Sequence, residues 1–163
     1  MRARARFAPD RPAALEPRTV PSTMVVTTQP SGTVDGYALQ VVRKGIDLGE
    51  QITAKGTLSG LGQVAISATL TDGRPTSNLF PFSGKLVVRE AGGTLRLQVS
   101  GVRTPTRQSP LNLDYMIVGG TGRERGATGF GTILLTENPT PLKGHAAYLP
   151  AQLTFSPTCR SRR

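Results

Sequence analysis

Apolar and polar residues alternate with a period of two over several short stretches, and no segment carries a sustained stripe at helical spacing. Val64, Ile66, Ala68 and Leu70 alternate with Gln63, Ala65, Ser67 and Thr69, the pattern of a half-buried antiparallel strand. Leu95, Leu97 and Val99 alternate in the same way with Thr94, Arg96, Gln98 and Ser100. The pattern further predicts strands over Tyr37 to Arg43, Gln51 to Leu58, Leu86 to Glu90 and Tyr148 to Phe155, the last alternating Leu149, Ala151, Leu153 and Phe155. Turns are expected at Ser59 to Gly62 and Ala91 to Gly93, and proline-bearing loops at Asp72 to Pro81, Thr104 to Pro110 and Asn138 to Gly144.

The stretch from Leu113 to Leu135, LDYMIVGGTGRERGATGFGTILL, reads as strand, glycine-punctuated turn and strand, and the other strands are expected to build around it. The count comes to about eight strands, nearly all joined to sequence neighbours. Antiparallel meanders of that size close into a barrel or fold into a sandwich, because closure removes exposed edges. Eight strands leave an interior just wide enough for side chains or for one small ligand.

The turn carries a resemblance. GGTGRERGATGF at Gly119 to Phe130, after the strand Tyr115 to Val118, resembles the GGTG-containing hairpin of the dirigent and allene oxide cyclase superfamily. It is also similar to bacterial proteins that pair this hairpin with an upstream LG turn, here Leu61 and Gly62, and a G-x-L-x-L strand, here Gly93 to Leu97. The resemblance implies an all-β fold, an eight-stranded antiparallel barrel of allene oxide cyclase or dirigent type with a central cavity. Relatives that dimerise or trimerise make a homo-oligomer an expectation as well. Gly119, Gly120, Thr121 and Gly122 are expected to form the tight turn, its glycines at positive φ, and Gly126, Gly129 and Gly131 a bend or bulge. Glu124 departs from the family pattern, which places an aromatic there.

Composition adds domain limits more than chemistry. The 163 residues suit a single domain. The net charge of +10 lies mostly in the tails: residues 1–22 hold five arginines against Asp10 and Glu16, and Arg160, Arg162 and Arg163 close the chain. The body therefore carries +4. We expect a disordered, basic, proline-rich leader over 1–23, a barrel domain over 24–157 and a basic tail over 158–163. Basic tails bind phosphate nonspecifically, and no sequence-specific nucleic-acid motif is present. The first residues lack the apolar run of a signal peptide, and Met24 is an alternative start, so a cytoplasmic and an exported protein are both compatible with the sequence. No apolar run approaches a membrane-spanning helix.

Candidate chemistry is sparse. Cys159 is the only cysteine and His145 the only histidine, so neither an intramolecular disulfide nor a Cys- or His-rich metal site can be built, and no cofactor is implied. The turn lacks the GK[ST] of a P-loop and the strand–GxGxxG–helix context of a dinucleotide fold. Asp114 and Tyr115 are consecutive strand residues and face opposite sides. If Leu113, Tyr115 and Ile117 face the interior, Tyr115 is the one weak catalytic candidate, and core packing is the plainer role for it. Arg89 and Arg96 fall on strands, Arg96 with the polar set. The expected ligand cavity is lined by Leu95, Leu97, Val99, Tyr115 and Ile117. Three readings follow: a noncatalytic barrel that binds a small hydrophobic molecule, an isomerase or cyclase of allene oxide cyclase type, and a structural or interaction module whose barrel is filled.

Overall fold

The computed structural model describes residues 28–43, 46–74, 79–103, 110–144 and 147–157. Met24, His145 and Cys159, with the basic tails, lie outside these residues. Eight strands follow in order: β1 (Gly32–Arg43), β2 (Ile46–Leu58), β3 (Gly62–Asp72), β4 (Phe80–Glu90), β5 (Gly93–Arg103), β6 (Leu111–Gly122), β7 (Phe130–Glu137) and β8 (Tyr148–Pro157). Each pairs antiparallel with the next, and β1 pairs with β8, so the sheet closes into an eight-stranded antiparallel barrel. Closure leaves no edge strand, which is how a meander of this length satisfies its backbone.

The period-two pattern sets the inside. Val64, Ile66, Ala68 and Leu70 of β3 are buried, as are Leu95, Leu97 and Val99 of β5 and Leu111, Leu113, Tyr115 and Ile117 of β6. The intervening residues face outward, Asp114 among them.

Large side chains are matched to glycines directly across the ladders. Val34 is paired with Gly56, Leu70 with Gly84, Phe82 with Gly101 and Tyr115 with Gly131. A methyl group on Gly101 would stand 2.5 Å from Phe82 Cζ, and one on Gly131 would stand 2.7 Å from the Tyr115 hydroxyl. Both contacts are far inside van der Waals range. The space that each glycine leaves is taken by its neighbour's ring, which is how a narrow barrel holds bulky residues at native packing density.

The ends of the barrel differ. The strand order puts the connections 44–45, 73–79, 104–110 and 138–147 at the upper end, and the turns at 59–61 and 91–92 and the connection 123–129 at the base. Thr28 to Ser31 pass along the base before β1: the Thr28 amide donates to the Thr128 carbonyl (3.1 Å), Pro30 is buried, and Ser31 bridges to Ser59.

Several strands begin earlier than the sequence pattern suggests. β1 runs through Gly36, β2 starts before Gly49, and β4 starts at Phe80 and includes Pro81. Pro81 is tolerated because it lies beyond the last β3 partner of β4, where its carbonyl accepts the Gly73 amide (2.7 Å) and no ladder N–H is required of it.

Candidate functional site

The organising hairpin differs from expectation at its turn. Gly119, Gly120, Thr121 and Gly122 do not form a tight turn but continue β6, paired with Arg96, Leu95, Thr94 and Gly93 of β5. The chain reverses over residues 123–129 instead. Opposite Arg96 and Leu97 the register slips by one residue, leaving Val118 as a bulge. Gly122 adopts φ +61°, the left-handed conformation that the corner requires. Gly120 is absent from the positive-φ residues; a side chain there would run into the backbone of Glu124. Thr121 holds the corner by a 2.6 Å hydroxyl contact with Thr94.

Glu124 is only 5% exposed. Its carboxylate accepts a hydrogen bond from the Thr28 hydroxyl (2.9 Å) and lies 3.7 Å from Arg123 Nε. Nearby, Glu90 accepts from the Gly92 amide (2.7 Å) and from Arg123 (3.1 Å), with its side chain 2% exposed. These carboxylates fasten the base: Glu90 ties the β4–β5 turn to the 123–129 connection, and Glu124 ties that connection to the segment ahead of β1.

All five residues expected to line a cavity point into the interior. A side chain bordering a ligand-sized space presents surface to it, and Leu95, Leu97, Val99, Tyr115 and Ile117 present at most 5%. Tyr115 packs against Phe155 with ring centroids 6.1 Å apart. Its hydroxyl is buried without a hydrogen-bond partner, and burial pushes the phenol pKa above its ordinary value. The group is therefore a neutral donor held in an apolar interior.

The upper mouth holds charge that the sequence reading did not place. Glu50 of β2, 5% exposed, pairs with Arg103 of β5 across the opening. Burial works against the Arg103 charge, but the charge and hydrogen bond of Glu50, with the charges of Glu137 and Asp72, outweigh it and raise the guanidinium pKa. Glu50 Oε2 is buried with no hydrogen-bond partner. A signal for these residues was present. Glu50 lies two before Ile52, Asp72 two after Leu70 and Glu137 two after Leu135, and Arg103 extends the inward series of Leu95, Leu97, Val99 and Gly101. Each continues the inward face one step past the last apolar residue.

Arg89 and Arg96 lie exposed on the outer wall, and Asp114 faces outward with them. Among the described residues no three His, Cys, Asp or Glu side chains are grouped to hold a metal ion, and no helix is long and apolar enough to cross a membrane. The chain matches no family model, no curated protein and no solved structure.

Proposed function

We propose that this protein is a noncatalytic module whose barrel is filled by its own side chains and which self-associates through its outer wall. The observation that carries this reading is the contrast between the two faces of β6 and its neighbour β7. Their inward residues Leu113, Tyr115, Ile117, Ile133 and Leu135 are buried, while Met116 and Val118 on the outside are 56% and 54% exposed, with Phe130 and Leu134 beside them on β7. Met116 and Phe130 are direct cross-strand partners. Met116, Val118 and Phe130 form an exposed apolar cluster, with Leu134 beyond the Asp114–Thr132 pair, and such clusters mark interaction surfaces.

A second copy suits the cluster better than a basic partner or a free surface does. The outward positions of β6 and β7 hold one charge, Asp114, on a chain of net charge +10, so two copies repel least when these faces meet. A two-fold axis through the cluster places each Met116–Phe130 pair against its counterpart. Sedimentation velocity on the full chain tests the reading. The wild type sediments as a concentration-dependent oligomer, and Met116→Glu with Phe130→Glu sediments as a monomer with an unchanged far-ultraviolet circular dichroism spectrum. A wild type that stays monomeric at all accessible concentrations removes the proposal.

The buried, unpartnered Tyr115 hydroxyl favours a second reading, in which a small hydrophobic molecule with one polar atom enters the interior by displacing inward side chains. Native mass spectrometry followed by denaturing extraction distinguishes the two. A co-purifying small molecule supports the ligand reading, and a clean mass for a defined oligomer supports the module.

A further inference from the structure

We propose that the outer wall over β3 to β5, toward the base of the barrel, is a docking face for the phosphate backbone of a nucleic-acid duplex. Lys85 and Arg89 on β4 and Arg96 on β5 all point outward and are exposed. The register opposes Lys85 to Gln98 and Arg89 to Thr94, so Arg96 stands diagonal to both, about 7–8 Å away at the backbone. No outward position of β3, β4 or β5 is acidic. Among the described residues Lys85 and Arg96 make no ion pair, and Arg89 donates to the Ser67 hydroxyl (3.1 Å). Three like charges gathered without a counter-charge repel one another, and an external polyanion relieves that repulsion.

A second observation comes from topology. Gly32 of β1 is paired with Phe155 of β8, so the chain enters and leaves the barrel at the base. Arg89 and Arg96 lie toward the same end, across the closed barrel from β1 and β8, and the turn residue Arg125 is exposed at that end as well. Of the acids toward that end, Glu90 pairs with Arg123, Glu124 lies on the 123–129 connection bonded to Thr28, and Asp35 lies on β1 bonded to Gln152. Lys85, Arg89 and Arg96 therefore form a positive patch on the wall over β4 and β5 with no acid among its outward positions.

The surrounding chemistry selects the partner. Ser67, Thr69, Thr94 and Gln98 interleave with the cations, and hydroxyl and amide donors beside Arg and Lys are the groups that contact phosphate oxygens. The wall holds no aromatic side chain on which unpaired bases could stack, which disfavours single strands. It projects no helix into a groove, so the contact reads charge and not sequence. A lipid surface fits less well, because the basal part of this wall carries no exposed large apolar residue that would insert: Phe80 and Val102 lie at the upper ends of β4 and β5, and Met116, Val118, Phe130 and Leu134 lie on β6 and β7.

Fluorescence anisotropy with a short labelled DNA duplex and the full-length chain tests this. The wild type binds unrelated sequences equally, with affinity falling steeply between 50 and 200 mM salt. Replacing Lys85, Arg89 and Arg96 together by Gln lowers the log–log salt slope by about 2.7, so the variant loses about 40-fold less affinity across that range. Matching melting curves show that the variant is folded; if the triple variant fails to fold, Arg96→Gln alone lowers the slope by about 1. A triple variant that keeps the wild-type affinity and slope overturns the proposal, because the tails alone then carry binding. So does the absence of binding at 50 mM salt, or binding through these three residues to anionic vesicles but not to the duplex.

Discussion

Glu50 and Arg103 meet across the upper mouth although their strands, β2 and β5, are not neighbours in the sheet. The ion pair spans the opening and links opposite sides of the wall. Truncating Arg103 to Ala leaves a carboxylate that is 5% exposed with no counter-charge, and such losses cost on the order of 3 kcal/mol. Glu50→Gln with Arg103→Met removes both charges and recovers most of that loss. Urea unfolding of the two variants and the wild type measures the difference, and equal destabilisation by the single and double changes would refute the pairing as the cause.

Tyr115 predicts a pH dependence with a definite sign. Its folded-state pKa is raised by burial above the ordinary 10.0, so the protonated phenol is the form that folding favours. The associated stability is fully present below about pH 10 and is lost as pH rises from there through the folded value. Tyr115→Phe should remove that alkaline component. It should also leave stability at neutral pH within about 1 kcal/mol of wild type, since the hydroxyl it deletes has no partner. Chemical unfolding at pH 7 and at pH values above 10 checks both statements.

Glu124 gives a prediction about the base. Glu124→Gln keeps an oxygen that accepts from the Thr28 hydroxyl and changes little, whereas Glu124→Ala removes the acceptor and costs about 1.5–3 kcal/mol. Hydrogen exchange locates the effect. The Thr28 amide, bonded to the Thr128 carbonyl, should exchange faster in Glu124→Ala while the amides of Leu97 and Val99 keep their protection.

What the sequence revealed follows from how each strand meets solvent. β3 and β5 have one apolar and one polar face, so the alternation of Val64 to Leu70 and Leu95 to Val99 identified both the strands and their inward side chains. Strand ends were lost where glycine or proline sits inside a strand. Gly36 and Gly84 face the close approach of a neighbouring strand, and Pro81 lies past a ladder's end, yet in sequence all three resemble turn residues. The interior candidates were legible for the same reason as the strands. The mouth is not, because Glu50, Asp72, Arg103 and Glu137 occupy the inward face as charged residues and break the apolar alternation that marks a strand, Asp72 falling in an expected loop and the other three outside every expected strand. Nor does spacing reveal that Glu124 folds back over Gly120, since that contact depends on the chain reversing at 123–129 and not at the glycines before it.

The way the barrel closes bears on how it folds. Seven of its eight ladders join consecutive strands, and only β1 with β8 brings together residues such as Thr33 and Thr154, 121 positions apart. Hairpins form by local search, while the closing ladder must overcome the entropy of a loop almost as long as the domain, which makes it the late event. Until it forms, the chain is an open meander with two bare edges available to other chains. Crowded synthesis is therefore most hazardous at that last step. A circular permutant that runs from Pro157 through a linker into Gly32, and is opened at the Ser59–Leu61 turn, turns the most distant pairing into a local one and moves the late closure to β2 with β3.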